Sequence, residues 1–129
     1  MSVRDPAYAL QKAVYQAIIA TGAVDGRVYS EVPAQAVKPF VQIGDDFIVS
    51  NREAGEFHVC TAVVNVVAAS KGKAKEIAGI IRAALEAPIE IDGFMVCEYE
   101  MPSSIYRIDN DCMTAQASLE FDYLLQTVE

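Results

Sequence analysis

The chain has 129 residues, 53% of them apolar, and a formal net charge of −8. Length and apolar content predict one folded domain, residues 1–129, burying roughly two-thirds of its unfolded surface, and they exclude intrinsic disorder. The acidic balance excludes a general nucleic-acid binder, which needs clustered bases, and no apolar run reaches the ~20 residues of a membrane-spanning helix.

Asp5 and Pro6 open the first predicted helix, because a carboxylate accepts orphan amide hydrogens and proline suits the first helical position. Leu10, Val14 and Ile18 then recur every four residues with Ala13 and Ala17 beside them. This apolar stripe runs to about Ala20 and is stopped by Thr21 and Gly22. A short strand is expected at 27–30. Pro39 introduces another over 40–44, with Val41 and Ile43 on one face. Phe47, Ile48 and Val49 either prolong that strand or begin a protruding arm over 45–56, whose polar end, 50–56, reads as a loop. Residues 57–68 carry the strongest strand signal. Val59, Val63 and Val67 lie on one face and Cys60, Ala62, Val64 and Val66 on the other, so a central or doubly covered strand is expected.

Ser70 caps a second predicted helix over about 72–87, ended by Pro88. Its buried stripe is Ala74, Ile77, Ala78, Ile81 and Leu85, with Gly79 expected at a close packing contact. Asp92 and Gly93 predict a hairpin turn. A strand follows over 94–101, ended by Pro102, then a short extended piece over 105–108 and a polar turn at Asp109-Asn110-Asp111. From Ala115 to Leu125 apolar and polar residues alternate, as in a long strand with one wet face. Strands without crossover helices between them pair antiparallel. The fold class is therefore α+β, a mainly antiparallel sheet with two amphipathic helices packed against it.

Charge is unevenly spread along the chain. Residues 71–82 hold four bases against one acid, whereas 83–129 hold ten acids against Arg107 alone. Lys71 and Lys73 stand in the first turn of the second helix, where positive charge opposes the helix dipole by ~0.3–1 kcal/mol each.

The chemistry is sparse. His58 is the sole histidine, which excludes a His–His metal pair and a Ser-His-Asp triad within one chain. Neither Asp45-Asp46 nor Asp109-Asn110-Asp111 has the alternating oxygens of a calcium loop, and no phosphate-binding glycine motif occurs. Glu98 and Glu100 share one strand face, the usual pattern of a solvated face. Cys60, Cys97 and Cys112 match no disulfide or metal framework and are expected as free thiols. No catalytic residue, cofactor or metal is assigned, and the chain reads as a non-enzyme. With no apolar signal-peptide core at its N-terminus, it is expected in a cytoplasm.

The order of elements resembles the tail completion proteins of long-tailed phages and related gene-transfer particles, also called tail terminators or head–tail joining proteins. The matching pieces are Ala9-Leu10, Gly26-Arg27-Val28-Tyr29, Val32-Pro33 and Pro39-Phe40-Val41-Gln42-Ile43-Gly44. They continue through the helix at 73–85, Gly93, Arg107 and Ala117-Ser118-Leu119-Glu120-Phe121. Asp109-Asn110-Asp111-Cys112 departs from the family in lacking the usual glycine.

The resemblance implies a structural virion protein: a ring, typically hexameric, at the head-proximal end of the tail tube, ending the tail and joining it to the head. Its implied partners are copies of itself, the tail tube protein and a head-completion or stopper protein, with DNA passing through the channel unbound. It implies assembly in the host cytoplasm and residence at the head–tail junction. Asp45, Asp46, Arg52 and Glu53 on the arm, and Lys71, Lys73 and Lys75 on the helix, are the expected interface residues. Two other classes stay open from the residues alone. One is a small oligomeric enzyme or ligand-binding domain using Glu98 and Glu100, and the other an acidic mimic of nucleic acid.

Overall fold

The four-residue spacing of Leu10, Val14 and Ile18 becomes a fully buried stripe on α1 (Pro6–Thr21). The helix stops where its sequence changes chemistry. The Thr21 hydroxyl donates to the Ile18 carbonyl at 2.7 Å and accepts the Ala23 amide at 3.2 Å, while Gly22 takes a φ of +68° that a side chain would disfavour. This computed structural model describes residues 6–44, 47–51, 57–86, 89–91, 93–108 and 114–128, with the backbone alone at 47–51, 101–105 and 108.

After α1 come β1 (Val28–Tyr29), β2 (Phe40–Ile43), β3 (Phe47–Asn51), β4 (Phe57–Ala68), α2 (Lys71–Glu86), β5 (Phe94–Ile108) and β6 (Ala115–Thr127). They build one six-stranded sheet in the order β1-β2-β4-β6-β5. β3 follows β2 along the same edge of β4: Ile43 stands opposite Val64 and Phe47 opposite Thr61. The segment 47–51 thus prolongs the line of β2. Every pair is antiparallel except β1 with β2, whose two-residue contact is parallel. The α+β architecture is the one the element order predicts.

Both helices lie on one face of the sheet, against Cys60, Ala62, Val64 and Val66 of β4 and the odd-numbered residues 115–125 of β6. No described polar or charged residue is buried in this core. β4 is central but not doubly covered. Its second face carries neither described helix, Val59 is 49% exposed, and Val63 and Val67 are half-buried between neighbouring strands.

Two further expectations are corrected. Pro102 does not end a strand, because β5 runs on to Ile108 past register shifts at 96/98 and 100/103. An edge strand tolerates proline, since a missing amide donor facing solvent breaks no ladder bond. Gly79 makes no close packing contact either: it is exposed, and a Cβ built there meets nothing within 4 Å. The hairpin before β5 does form, with the Phe94 amide on the Ile91 carbonyl at 3.0 Å and Gly93 at φ +87°.

Candidate assembly interface

Ser70 positions the basic turn of α2. Its hydroxyl accepts the Lys73 amide at 3.2 Å, satisfying one orphan donor at the helix start, and its carbonyl accepts the Ala74 amide at 3.0 Å in the first regular helical bond. Lys71, Lys73 and Lys75 all point to solvent. The Lys73 ammonium lies 3.6 Å from Glu76, and that of Lys75 sits 5.5 Å from the centre of the Tyr106 ring. Lys71 has no ion-pair partner among the described residues.

The fold adds two bases that linear reading left apart. Lys38 precedes β2 and donates to Thr114 Oγ1 at 2.5 Å, just before β6 begins. Arg107, near the end of β5, donates to Gln116 Oε1 at 3.1 Å. The start of β6 is registered against the end of β4, and α2 leaves from that point. Lys38, Lys71, Lys73, Lys75 and Arg107 therefore gather at one end of the subunit. No signal in the linear sequence pairs Lys38 with Arg107, because they lie on opposite sides of the sheet order.

The opposite end is acidic. α2 carries its chain roughly 22 Å, at ~1.5 Å per residue, from Lys71 to Glu86. Glu86, Glu90 and Glu98 lie towards that end, with Glu100 and Asp122 next to them nearer the middle of the sheet and Arg82 paired to Glu86 at 2.9 Å. Glu98 and Glu100 are exposed on β5, registered against Leu124 and Asp122. Thr61 donates to Asp122 Oδ1 at 2.8 Å. Of the expected interface residues, Asp45, Asp46, Arg52 and Glu53 lie outside the described residues, as does the turn 109–113.

Little here is arranged for covalent chemistry. His58 Nε2 stands 3.0 Å from Thr127 Oγ1, and its ring meets Phe94 edge-on at 5.6 Å. Tyr123 is 1% exposed and its hydroxyl has no hydrogen-bond partner among the described residues. Burial, then the neighbouring Tyr99, pushes its pKa above the ordinary tyrosine value. Tyr99 stacks on that ring at 6.3 Å and donates to the Glu86 carbonyl. A groove of about 820 Å³ between α1 and the start of β5 is lined by Ala13, Ile91, Met95, Val96 and Val128, with Lys12, Glu90 and Glu98 among its polar members. Among the described residues no three His, Cys, Asp or Glu side chains group as metal ligands. Cys60 is buried, as the strand pattern predicts, and Cys97 is an exposed free thiol.

A two-layer α+β fold, with strand edges unpaired among the described residues and opposite charges towards its two ends, fits a structural assembly module. The particular family follows from comparison: the family model described as Tail completion protein gp17 matches residues 12–126, and the chain belongs to that family. No curated protein matches the sequence. Among solved structures, a chain in the virion of a native gene transfer agent particle is similar, with a TM-score of 0.81 and 22% identity over 96% of this chain and 99% of that one. Likeness at that identity establishes a shared fold. No described helix is long and apolar enough to cross a membrane.

Proposed function

We propose that the chain forms a ring at the head-proximal end of a tail tube, where it stops tube growth and offers the docking face for the head. Family membership supplies the tail-completion role. The observation that carries the finer reading is the charge polarity of the subunit: Lys38, Lys71, Lys73, Lys75 and Arg107 at one end, Glu86, Glu90, Glu98, Glu100 and Asp122 towards the other. A junction ring must bind two different neighbours on its two faces, and opposite charge on those faces prevents docking upside down. The basic end meets an acidic surface of one neighbour, tube or stopper. Asp45, Asp46, Arg52 and Glu53 flank β3 in the chain and belong to the contacts between subunits. Six copies are the expected number, as in the family's rings. The chain acts without catalysis and without a cofactor. Overall acidity lets DNA slide through the channel, since like charge disfavours phosphate contacts.

Deleting the gene tests this reading. The expected result is tails of unregulated length that fail to join heads, seen by electron microscopy and reversed by supplying the chain in trans. Tails of normal length joined to heads without the chain would overturn it.

A further inference from the structure

Besides the two-residue β1, which ends the sheet and pairs with β2 alone, two strands each keep one edge without a partner among the described residues. β5 pairs with β6 alone along its 15 residues. β3 pairs with β4 alone, because β1 is registered against Val41 and Gln42 of β2 and stops short of it. These two edges lie on opposite sides of the sheet.

Their directions are complementary. In the order β3, β4, β6, β5 each strand is antiparallel to the next, so β3 and β5 of one subunit run in opposite senses. A second copy brought alongside in the same orientation, as rotation about a ring axis requires, sets its β3 antiparallel to β5. An odd number of strands would have made that meeting parallel.

Their heights match as well. Phe47 stands opposite Thr61, Thr61 opposite Asp122, and Asp122 opposite Glu100. Asn51 leads in the same way through Phe57 and Gln126 to Met95. β3 is thus level with 95–100 of β5, a stretch in which Met95, Cys97, Glu98, Tyr99 and Glu100 are all exposed.

We propose that neighbouring subunits join by backbone pairing of β5 in one copy with β3 of the next, so that the ring carries one continuous antiparallel sheet. The proposal rests on the ring reading above. A bare strand edge holds a row of unpaired N–H and C=O groups whose natural occupant is another strand. The two edges differ, so the contact is heterologous and repeats around a closed ring. It aligns all basic ends on one rim and all acidic ends on the other.

Cys97 provides the test, since it is exposed on β5 at the level of Val49 and Ser50. Antiparallel partners bring Cα atoms to about 4.5–5.5 Å, within disulfide reach. In a Cys112→Ser background, single cysteines are placed at each of the five β3 positions, and purified particles are oxidised and run on non-reducing denaturing gels. Val49→Cys or Ser50→Cys should give a ladder of covalent oligomers ending at the ring size, abolished by Cys97→Ser. The scan is repeated with Ser104→Cys in place of Cys97 to admit a staggered register. No ladder at any position in either scan, from particles that complete and join normally, would overturn the strand pairing and leave the ring reading standing. A dimer from Cys97 before any cysteine is added would overturn it in favour of β5 pairing with β5. Particles that lack the chain at the junction would remove the ring reading, and the strand pairing with it.

Discussion

Glu100 stands directly opposite Asp122 across the β5–β6 ladder, two carboxylates on the sheet face that carries neither described helix, with no ion pair to either among the described residues. Like charges placed this way destabilise a sheet, on a scale of roughly 0.2–1 kcal/mol per cross-strand pair. Glu100→Gln should therefore raise stability by a few tenths of a kcal/mol, about the lower part of that range. Urea titration reads the change, and a variant less stable than the parent would show that Glu100 has a favourable partner instead.

The core face of β6 gives a larger effect. Leu119 and Phe121 are each 1% exposed, whereas Glu120 between them is half-buried on the other face. Leu119→Ala should cost about 2–5 kcal/mol and Phe121→Ala about 3–5 kcal/mol, through lost burial and the cavity left behind. Glu120→Ala should cost far less. Equal losses at Glu120 and Leu119 in denaturant titrations would mean the faces are assigned wrongly.

Tyr123 predicts a gain from deletion. Its hydroxyl is buried without a partner among the described residues, so Tyr123→Phe should be neutral or stabilising by up to about 1 kcal/mol, the scale of an unmet hydrogen bond. It also predicts a pH effect. The folded-state pKa lies above the ordinary value near 10, so the folded form holds its proton where the unfolded chain releases it. Stability is therefore fully present below that value and lost as pH rises beyond it. The parent should lose stability above about pH 10, and Tyr123→Phe should lose less. Parallel slopes for the two proteins in alkaline unfolding titrations would contradict this.

Reversing Lys71, Lys73 and Lys75 to Glu separates fold from assembly. The first turn of α2 then carries acids that favour the helix dipole, by ~0.3–1 kcal/mol each at exposed positions. Circular dichroism should show a folded chain, while electron microscopy should show impaired tail-end assembly or head joining. Parent assembly should also weaken with added salt, since exposed charges are screened within ~8–10 Å. Tails of normal length that join heads with the triple variant would remove these lysines from the interface.

Much of this fold was legible because burial imposes a period. The stripe of Ala74, Ile77, Ala78, Ile81 and Leu85 lands on the core as its spacing predicts, and so does the alternation from Ala115 to Leu125. The failures have local causes. Pro102 reads as a strand end only if both strand edges need donors, and β5 has one edge without a partner among the described residues. Val59, Val63 and Val67 read as a second buried face, but lateral neighbours in the sheet half-shield them without either described helix. The lysine turn of the candidate interface was visible in linear order. Lys38 and Arg107 joined it only through pairing between distant strands.

The irregularities of β5 bear on how the free chain behaves in solution. Shifts at 96/98 and 100/103 cut its edge into regular runs at 94–96, 98–100 and 103–108. Short, bulged stretches are poor templates for indiscriminate strand pairing, the route by which bare edges lead to fibres and precipitates. A subunit made in excess of its docking sites therefore stays dispersed, and sedimentation velocity of the purified chain should show small species at concentrations where an uninterrupted edge would aggregate. Replacing Pro102 with Val, which restores a donor and β propensity to the edge, should shift that balance towards precipitation while leaving the far-ultraviolet spectrum of the soluble fraction unchanged.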